Sequence, residues 1–169
     1  YMVQHAASVG AHVVAIDIDE SKLEKAKGLG AEFTIHSKGL NEKEVKEKIR
    51  EWLKSKNYSS YGWKVFETSG SAPGQSMAFS LLSYAGVLGI IGFTMEKLQI
   101  RLSNIMAFDA DVFGNWGCSP KHYPKVVELV LASKIKMREN IKEFPMSSIN
   151  EVIGLALEHK LQERDIFIP

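Results

Sequence analysis

Apolar positions along the chain fall into two rhythms that alternate from one end to the other. HVVAIDI, His12 to Ile18, is almost wholly apolar, the pattern of a short strand buried on both faces of a parallel sheet. Asp19 or Ser21 then opens a helix over Lys22 to Leu29, and Gly30 stops it. Phe33 to Ile35 reads as a second strand. NEKEVKEKIREWLKSK sets Val45, Ile49, Trp52 and Leu53 on one helical face, with Glu42 and Lys46, and Glu44 and Lys48, paired four apart on the solvated faces. WKVFETSG is a third strand that breaks at Gly70, a helix follows around Gln75 to Ser83, and GVLGIIGF is a fourth strand. A strand near Val112 to Trp116 and a helix from Pro120 to Ser133 continue the series.

Strands that alternate in this way with helices specify a doubly wound parallel sheet. Ahead of the first strand, YMVQHAASVGA places Met2, Val3, Ala6 and Ala7 on a helical face closed by Gly10. Such a helix ordinarily follows a first strand and a Gly-rich turn, and the chain opens inside it, on Tyr rather than Met. The expectation is therefore a doubly wound sheet without its first, central strand. IKEFPMSSINEVIGLALEHKLQERDIFIP departs from the rhythm. It predicts a strand, a helix opened by Ser147 or Ser148 with Glu151 set for a capping box, and a terminal strand from Asp165. This βαβ tail reads as part of a neighbouring domain, which puts the expected boundaries at 1–138 and 139–169.

Composition adds limits. The 169 residues are 45% hydrophobic and 24% charged, the balance of a soluble globular domain. The net charge of +1 pulls toward neither nucleic acid nor an anionic membrane. No run approaches the roughly eighteen apolar residues of a membrane span, and no charged leader precedes one, so the reading is a cytoplasmic domain. Cys118, the single cysteine, excludes an internal disulfide and suits a reducing compartment.

Asp17 is the residue that most invites chemistry. At the end of the second strand of a dinucleotide-binding sheet, a carboxylate accepts hydrogen bonds from both hydroxyls of the adenosine ribose. It also opposes a 2′-phosphate, which favours NAD over NADP. The alternative is that Asp17 only ends a strand. His5, His12, His36, His122 and His159 are scattered over different elements, with no pair at metal-ligand spacing. Cys118 and Trp116, after the strand near Val112, could face a substrate or pack as ordinary apolar groups. GSAPG and GNWG lack the spacing of a phosphate loop.

VVAIDIDESKLEKAKGLGA, VFETSGS, GVLGIIGF and the closing RDIFIP together resemble the cofactor half of the zinc-type, medium-chain alcohol dehydrogenases. The resemblance implies a Rossmann fold, an NAD cofactor, hydride transfer, and a catalytic zinc whose ligands lie outside this chain. It implies that Asp17 holds the adenosine ribose and that Lys22 adds a donor to it. Ser69 and Gly70 would lie beside the adenine half. Ile91, Gly92 and Phe93, and Asn115 to Gly117, would hold the nicotinamide through main-chain groups, with Phe93 against its ring. Arg164 would reach the pyrophosphate with a guanidinium fork. The parent enzyme is expected to take a small-molecule alcohol and to be a homo-oligomer. This chain supplies no catalytic residue, and by itself is expected to be poorly stable and to bind NAD weakly. Two other classes stay open: a methyltransferase, which also ends its second strand on an acid for a ribose, and a non-catalytic nucleotide-binding domain.

Overall fold

A computed structural model of the chain describes every residue except His159 and Gln162, and leaves out the side chain of Asn140. The elements are α1 (Met2–Ser8), β1 (Val14–Asp17), α2 (Glu20–Gly28), β2 (Phe33–His36), α3 (Glu42–Ser55), β3 (Lys64–Glu67), α4 (Ala72–Ser80), β4 (Val87–Ile90), α5 (Ser103–Ala107), β5 (Asp111–Gly114), α6 (Tyr123–Leu131), β6 (Ile141–Pro145), α7 (Ile149–Leu157) and β7 (Arg164–Ile168). The α/β alternation expected from the sequence is present, and every strand pair is parallel.

The described strands form three sheets, β1-β2, β3-β4-β5 and β6-β7. In doubly wound order a central strand belongs between β1 and β3, and no described strand of this chain occupies that place. What joins the β1-β2 sheet to the β3-β4-β5 sheet is α3. Its stripe Val45, Ile49, Trp52 and Leu53 is buried with Ile35 of β2 and Leu81, and half-buried Val14 and Ile16 of β1, Val65 of β3 and Met77 of α4 pack against it. A second cluster, Ala78, Phe79, Leu82, Leu88 and Ala110, fixes α4 on β4.

Several helix ends follow the sequence closely. Asp19 caps α2 by accepting from the Ser21 amide. Gly30, at φ +109, closes α2: its N–H reaches the Lys27 carbonyl and that of Ala31 reaches Ala26, the Schellman arrangement that only a left-handed residue permits cheaply. Asn41 and Glu44 form a full capping box on α3. Gln4 of α1 is buried and pairs both ways with the backbone of Lys136, which ties the first helix to the segment before β6.

Other expectations are corrected. The four-apart pairs Glu42 with Lys46 and Glu44 with Lys48 do not form. Glu44 turns back to the Asn41 amide, Glu42 accepts from the Ser76 hydroxyl, and Lys46 donates to the carbonyls of Ser80 and Leu82 at 3.0 and 2.7 Å. The Ser80 carbonyl ends α4 and that of Leu82 lies just past its cap, so neither has a partner within the helix, and a charged donor satisfies them better than a solvated carboxylate satisfies the lysine. Helix α4 begins at Ala72 rather than near Gln75, because Ser71 accepts from the Gly74 amide and Pro73 suits a first turn. Strand β5 ends at Gly114, the partner of Ile90. The capping box expected at Ser148 and Glu151 is absent: a 3₁₀ turn over Met146–Ser148 enters α7, and the Ser148 hydroxyl donates to the Pro145 carbonyl instead.

Lys46→Met keeps the apolar stem and removes the donor head, and is expected to lower stability by about 1–2 kcal/mol in urea unfolding. Burial, and then the Arg50 charge, lower the Lys46 pKa from its ordinary 10.5. In the window below 10.5 the unfolded chain therefore binds more protons here than the folded one, and this residue's contribution to stability rises with pH. The wild-type chain should gain stability relative to Lys46→Met as pH climbs through that window; parallel pH profiles would contradict the assignment.

Candidate functional site

In open parallel sheets, ligands bind outside the carboxyl ends of the strands. At the end of β1, Asp17 is half-buried and opposite His36 of β2 in the ladder. One carboxylate oxygen accepts from the Asp19 amide at 3.0 Å, and the other has no partner among the described residues. The turn after Asp17 is tied down from β2. The Ser37 amide donates to the Asp17 carbonyl, and His36 Nε2 lies 2.9 Å from the Ile18 carbonyl oxygen. Ile18, next to the acid, is 68% exposed, an apolar surface beside a carboxylate that the strand pattern had hidden by reading it as buried.

The ends of β3 and β4 meet more tightly. The Ile91 and Gly92 amides both donate to the Glu67 carbonyl. A Cβ on Gly70, which sits at φ +66, would lie 2.8 Å from the Phe93 carbonyl oxygen. A Cβ on Gly92 would run into the Gly70 nitrogen, and would lie 2.6 Å from Glu67 Oε2 and 2.7 Å from the Gly70 Cα. Main chain against main chain at this spacing requires glycine on both sides. Beneath them lies the buried carboxylate of Glu67, whose Oε1 accepts from the Ser69 amide, the Ser69 hydroxyl and the Gly70 amide. From α4, the Gln75 side-chain amide donates to the Gly92 carbonyl at 3.1 Å.

Ser69, Gly70, Ile91, Gly92 and Phe93 are thus brought into one patch. Asn115 joins its rim, its amide donating to the Ile90 carbonyl, and Phe93 meets Trp116 edge to face at 5.7 Å, both rings exposed. Gly117 follows in the same exposed segment. Lys22 is exposed, and neither it nor Arg164 makes a hydrogen bond or ion pair with a strand end among the described residues. Arg164 opens β7 in the separate β6-β7 sheet, with its neighbour Glu163 paired to Lys25 of α2. Cys118 is exposed rather than buried. His159 lies outside the described residues. Glu67 was missed by sequence reasoning; a glutamate ahead of a Ser-Gly turn gives no sign of burial, and only the β3-β4 pairing supplies it.

Residues 1–132 match the family model described as zinc-binding dehydrogenase. The chain belongs to that family. It is 24% identical to an alcohol dehydrogenase of Geobacillus stearothermophilus over 162 residues, 96% of this chain and 45% of the relative. Among solved structures, an alcohol dehydrogenase from the archaeon Aeropyrum pernix superposes with a TM-score of 0.84 at 22% identity, over 99% of this chain and 46% of its own. A short chain alcohol dehydrogenase from E. coli CFT073, complexed with NADH, superposes at 0.75 with 20% identity, over 98% and 47%. The chain therefore spans about half the length of the proteins it matches, and the fold is that of their doubly wound domain.

Membership in the zinc-binding dehydrogenases raises the question of metal. Among the described residues no three His, Cys, Asp or Glu side chains converge, so the donors described here do not fit a zinc centre. No described helix is long and apolar enough to cross a membrane. The close approach of Gly70 and Gly92 sets an expectation for this member of the family: Gly92→Ala should cost about 1–3 kcal/mol of unfolding free energy, because the new methyl meets backbone that cannot turn aside. An unchanged denaturation midpoint would refute the packing described.

Proposed function

We propose that this chain is the cofactor-binding half of an NAD-dependent alcohol dehydrogenase, with residues 1–138 forming the dinucleotide unit and 139–169 returning to a catalytic domain. The observation that carries the reading is Asp17: a half-buried carboxylate at the carboxyl end of β1, one oxygen held by the Asp19 amide and the other uncommitted. That oxygen suits a ribose hydroxyl, and the exposed Ile18 beside it offers an apolar surface to a purine. The close packing of Gly70 and Gly92 fixes the turn after β3 against the segment after β4, and the exposed Phe93 ring beside them suits a nicotinamide. Bound NAD would supply the hydride acceptor for oxidation of an alcohol carbon. The NADH in the E. coli CFT073 structure supports the cofactor by likeness of fold.

In this reading Lys22 and Arg164 come to the cofactor only when it is bound, since neither touches a strand end beforehand. The zinc of such an enzyme has its ligands outside this chain, and the whole protein is a cytoplasmic homo-oligomer. GFTMEKLQIRLSNIMAFDADVFGNWGC, with SINEV and HKL, resembles the corresponding segments of 6-hydroxycyclohex-1-ene-1-carbonyl-CoA dehydrogenase. The proposed reaction is oxidation of that ring alcohol to the 6-oxo product, in the anaerobic degradation of aromatic acids. Contacts to the remote CoA would contribute binding energy at the reacting carbon.

Asp17→Gly in the full-length protein tests the cofactor assignment. The ratio of NADP to NAD dissociation constants, measured by calorimetry, is expected to fall by about tenfold or more as the like-charge conflict disappears. An unchanged ratio would remove Asp17 from the site. Turnover of the cyclic hydroxy-enoyl-CoA should also far exceed that of ethanol or a polyol; equal rates would leave only the broader alcohol dehydrogenase reading.

A further inference from the structure

Glu67 is the only acidic or basic side chain among the described residues that is buried, at 4% exposure. Its two oxygens are used unequally. Oε1 accepts three hydrogen bonds, from the Ser69 amide at 2.7 Å, the Ser69 hydroxyl at 2.6 Å and the Gly70 amide at 3.2 Å. Oε2 is buried, has no hydrogen-bond partner, and packs where a Cβ on Gly92 would be. Burying a carboxylate with one oxygen unsatisfied is costly, and a turn closed by Ser and Gly does not need it. The position of the residue supplies the reason. Its side chain grips the turn that follows β3, while its own carbonyl accepts from Ile91 and Gly92 at the end of β4.

We propose that Glu67 is a positioning residue that locks the Ser69–Gly70 turn and the Ile91–Phe93 segment to each other, and thereby sets affinity for both halves of a bound dinucleotide at once. The proposal rests on the reading of the strand ends as an NAD site. Oε1 fixes the first segment by hydrogen bonds, and the Glu67 carbonyl fixes the second. The bare Oε2 fills the space between them with the smallest group that leaves Gly92 against Gly70. Gln75 of α4 is a second fastening, and it holds only the Gly92 carbonyl. The two fastenings therefore differ in reach: weakening the Glu67 side chain frees the Ser69–Gly70 turn and, through the packing of Gly70 against Gly92 and Phe93, disturbs the segment from β4, whose bonds to the Glu67 carbonyl remain, whereas loss of Gln75 releases only that segment. Binding sites tolerate displacements of only about 0.5 Å before affinity suffers, so release should be felt by the ligand before the fold is lost.

The test uses the full-length protein and calorimetric titration with NAD, AMP and nicotinamide mononucleotide, alongside thermal melts. Glu67→Gln keeps the shape and the acceptor but removes the charge behind three hydrogen bonds, and is expected to weaken NAD by about tenfold. AMP and nicotinamide mononucleotide should weaken together. Gln75→Met should weaken nicotinamide mononucleotide and leave AMP within about twofold, a difference near the scatter of independent sites. If Glu67→Gln does not fold, Ser69→Ala, which removes one of the donors to Oε1, carries the same joint loss of both half-ligands in smaller measure. Loss confined to AMP in Glu67→Gln, or wild-type affinity in a variant that melts normally, would overturn the coupling while leaving the NAD site in place. A wild-type protein that binds none of the three ligands would overturn the dinucleotide reading itself, and the positioning role with it.

Discussion

The burial of one helical stripe holds this molecule in one frame. Val45, Ile49, Trp52 and Leu53 of α3 pack under β1 and β2 on one side and reach Val65 of β3 and Met77 of α4 on the other. No ladder joins β1 to β3, so the alignment of the β1-β2 and β3-β4-β5 sheets depends on side-chain packing rather than on backbone hydrogen bonds. Each side chain fully buried in this way contributes about 1.5–3 kcal/mol, enough for four of them to outweigh most single polar contacts. Asp17 lies at the end of one sheet and Gly70 and Gly92 at the ends of the other, so a ligand that uses all three depends on this stripe for its geometry.

The strand ends divide the work of such a ligand by chemistry. The end of β1 offers a carboxylate with an uncommitted oxygen, beside exposed isoleucine. The ends of β3 and β4 are packed main chain against main chain at two glycines, and the ends of β4 and β5 offer two exposed aromatic rings. Sugar hydroxyls suit the first of these surfaces and a flat ring the last.

Much of the frame was legible because it is written in period. The α3 stripe recurs at helical spacing over a long amphipathic segment, the strands are short apolar runs, and Gly30 stands where a left-handed residue ends a helix. Asp17 was legible for a related reason, as a lone acid at the end of an apolar strand. What escaped is what depends on partners distant in sequence. Spacing pairs Lys46 with Glu42 along the helix, yet it caps carbonyls at and just past the end of α4, more than thirty residues away. Ser148 has the spacing of a capping box, but the 3₁₀ turn before it redirects its hydroxyl. Glu67 carries no local sign of burial, since its Oε2 is packed against Gly92, which follows another strand.

The central claim is that one dinucleotide spans both sheets across the carboxyl ends of their strands, on a frame set by α3. Amide hydrogen exchange of the full-length protein, with and without NAD, tests it most directly. The account predicts that NAD slows exchange at residues 17–19, 69–71, 91–93 and 115–117 together, while the outer face of α3 is unchanged. Protection confined to one sheet, or absent from residues 17–19, would contradict it.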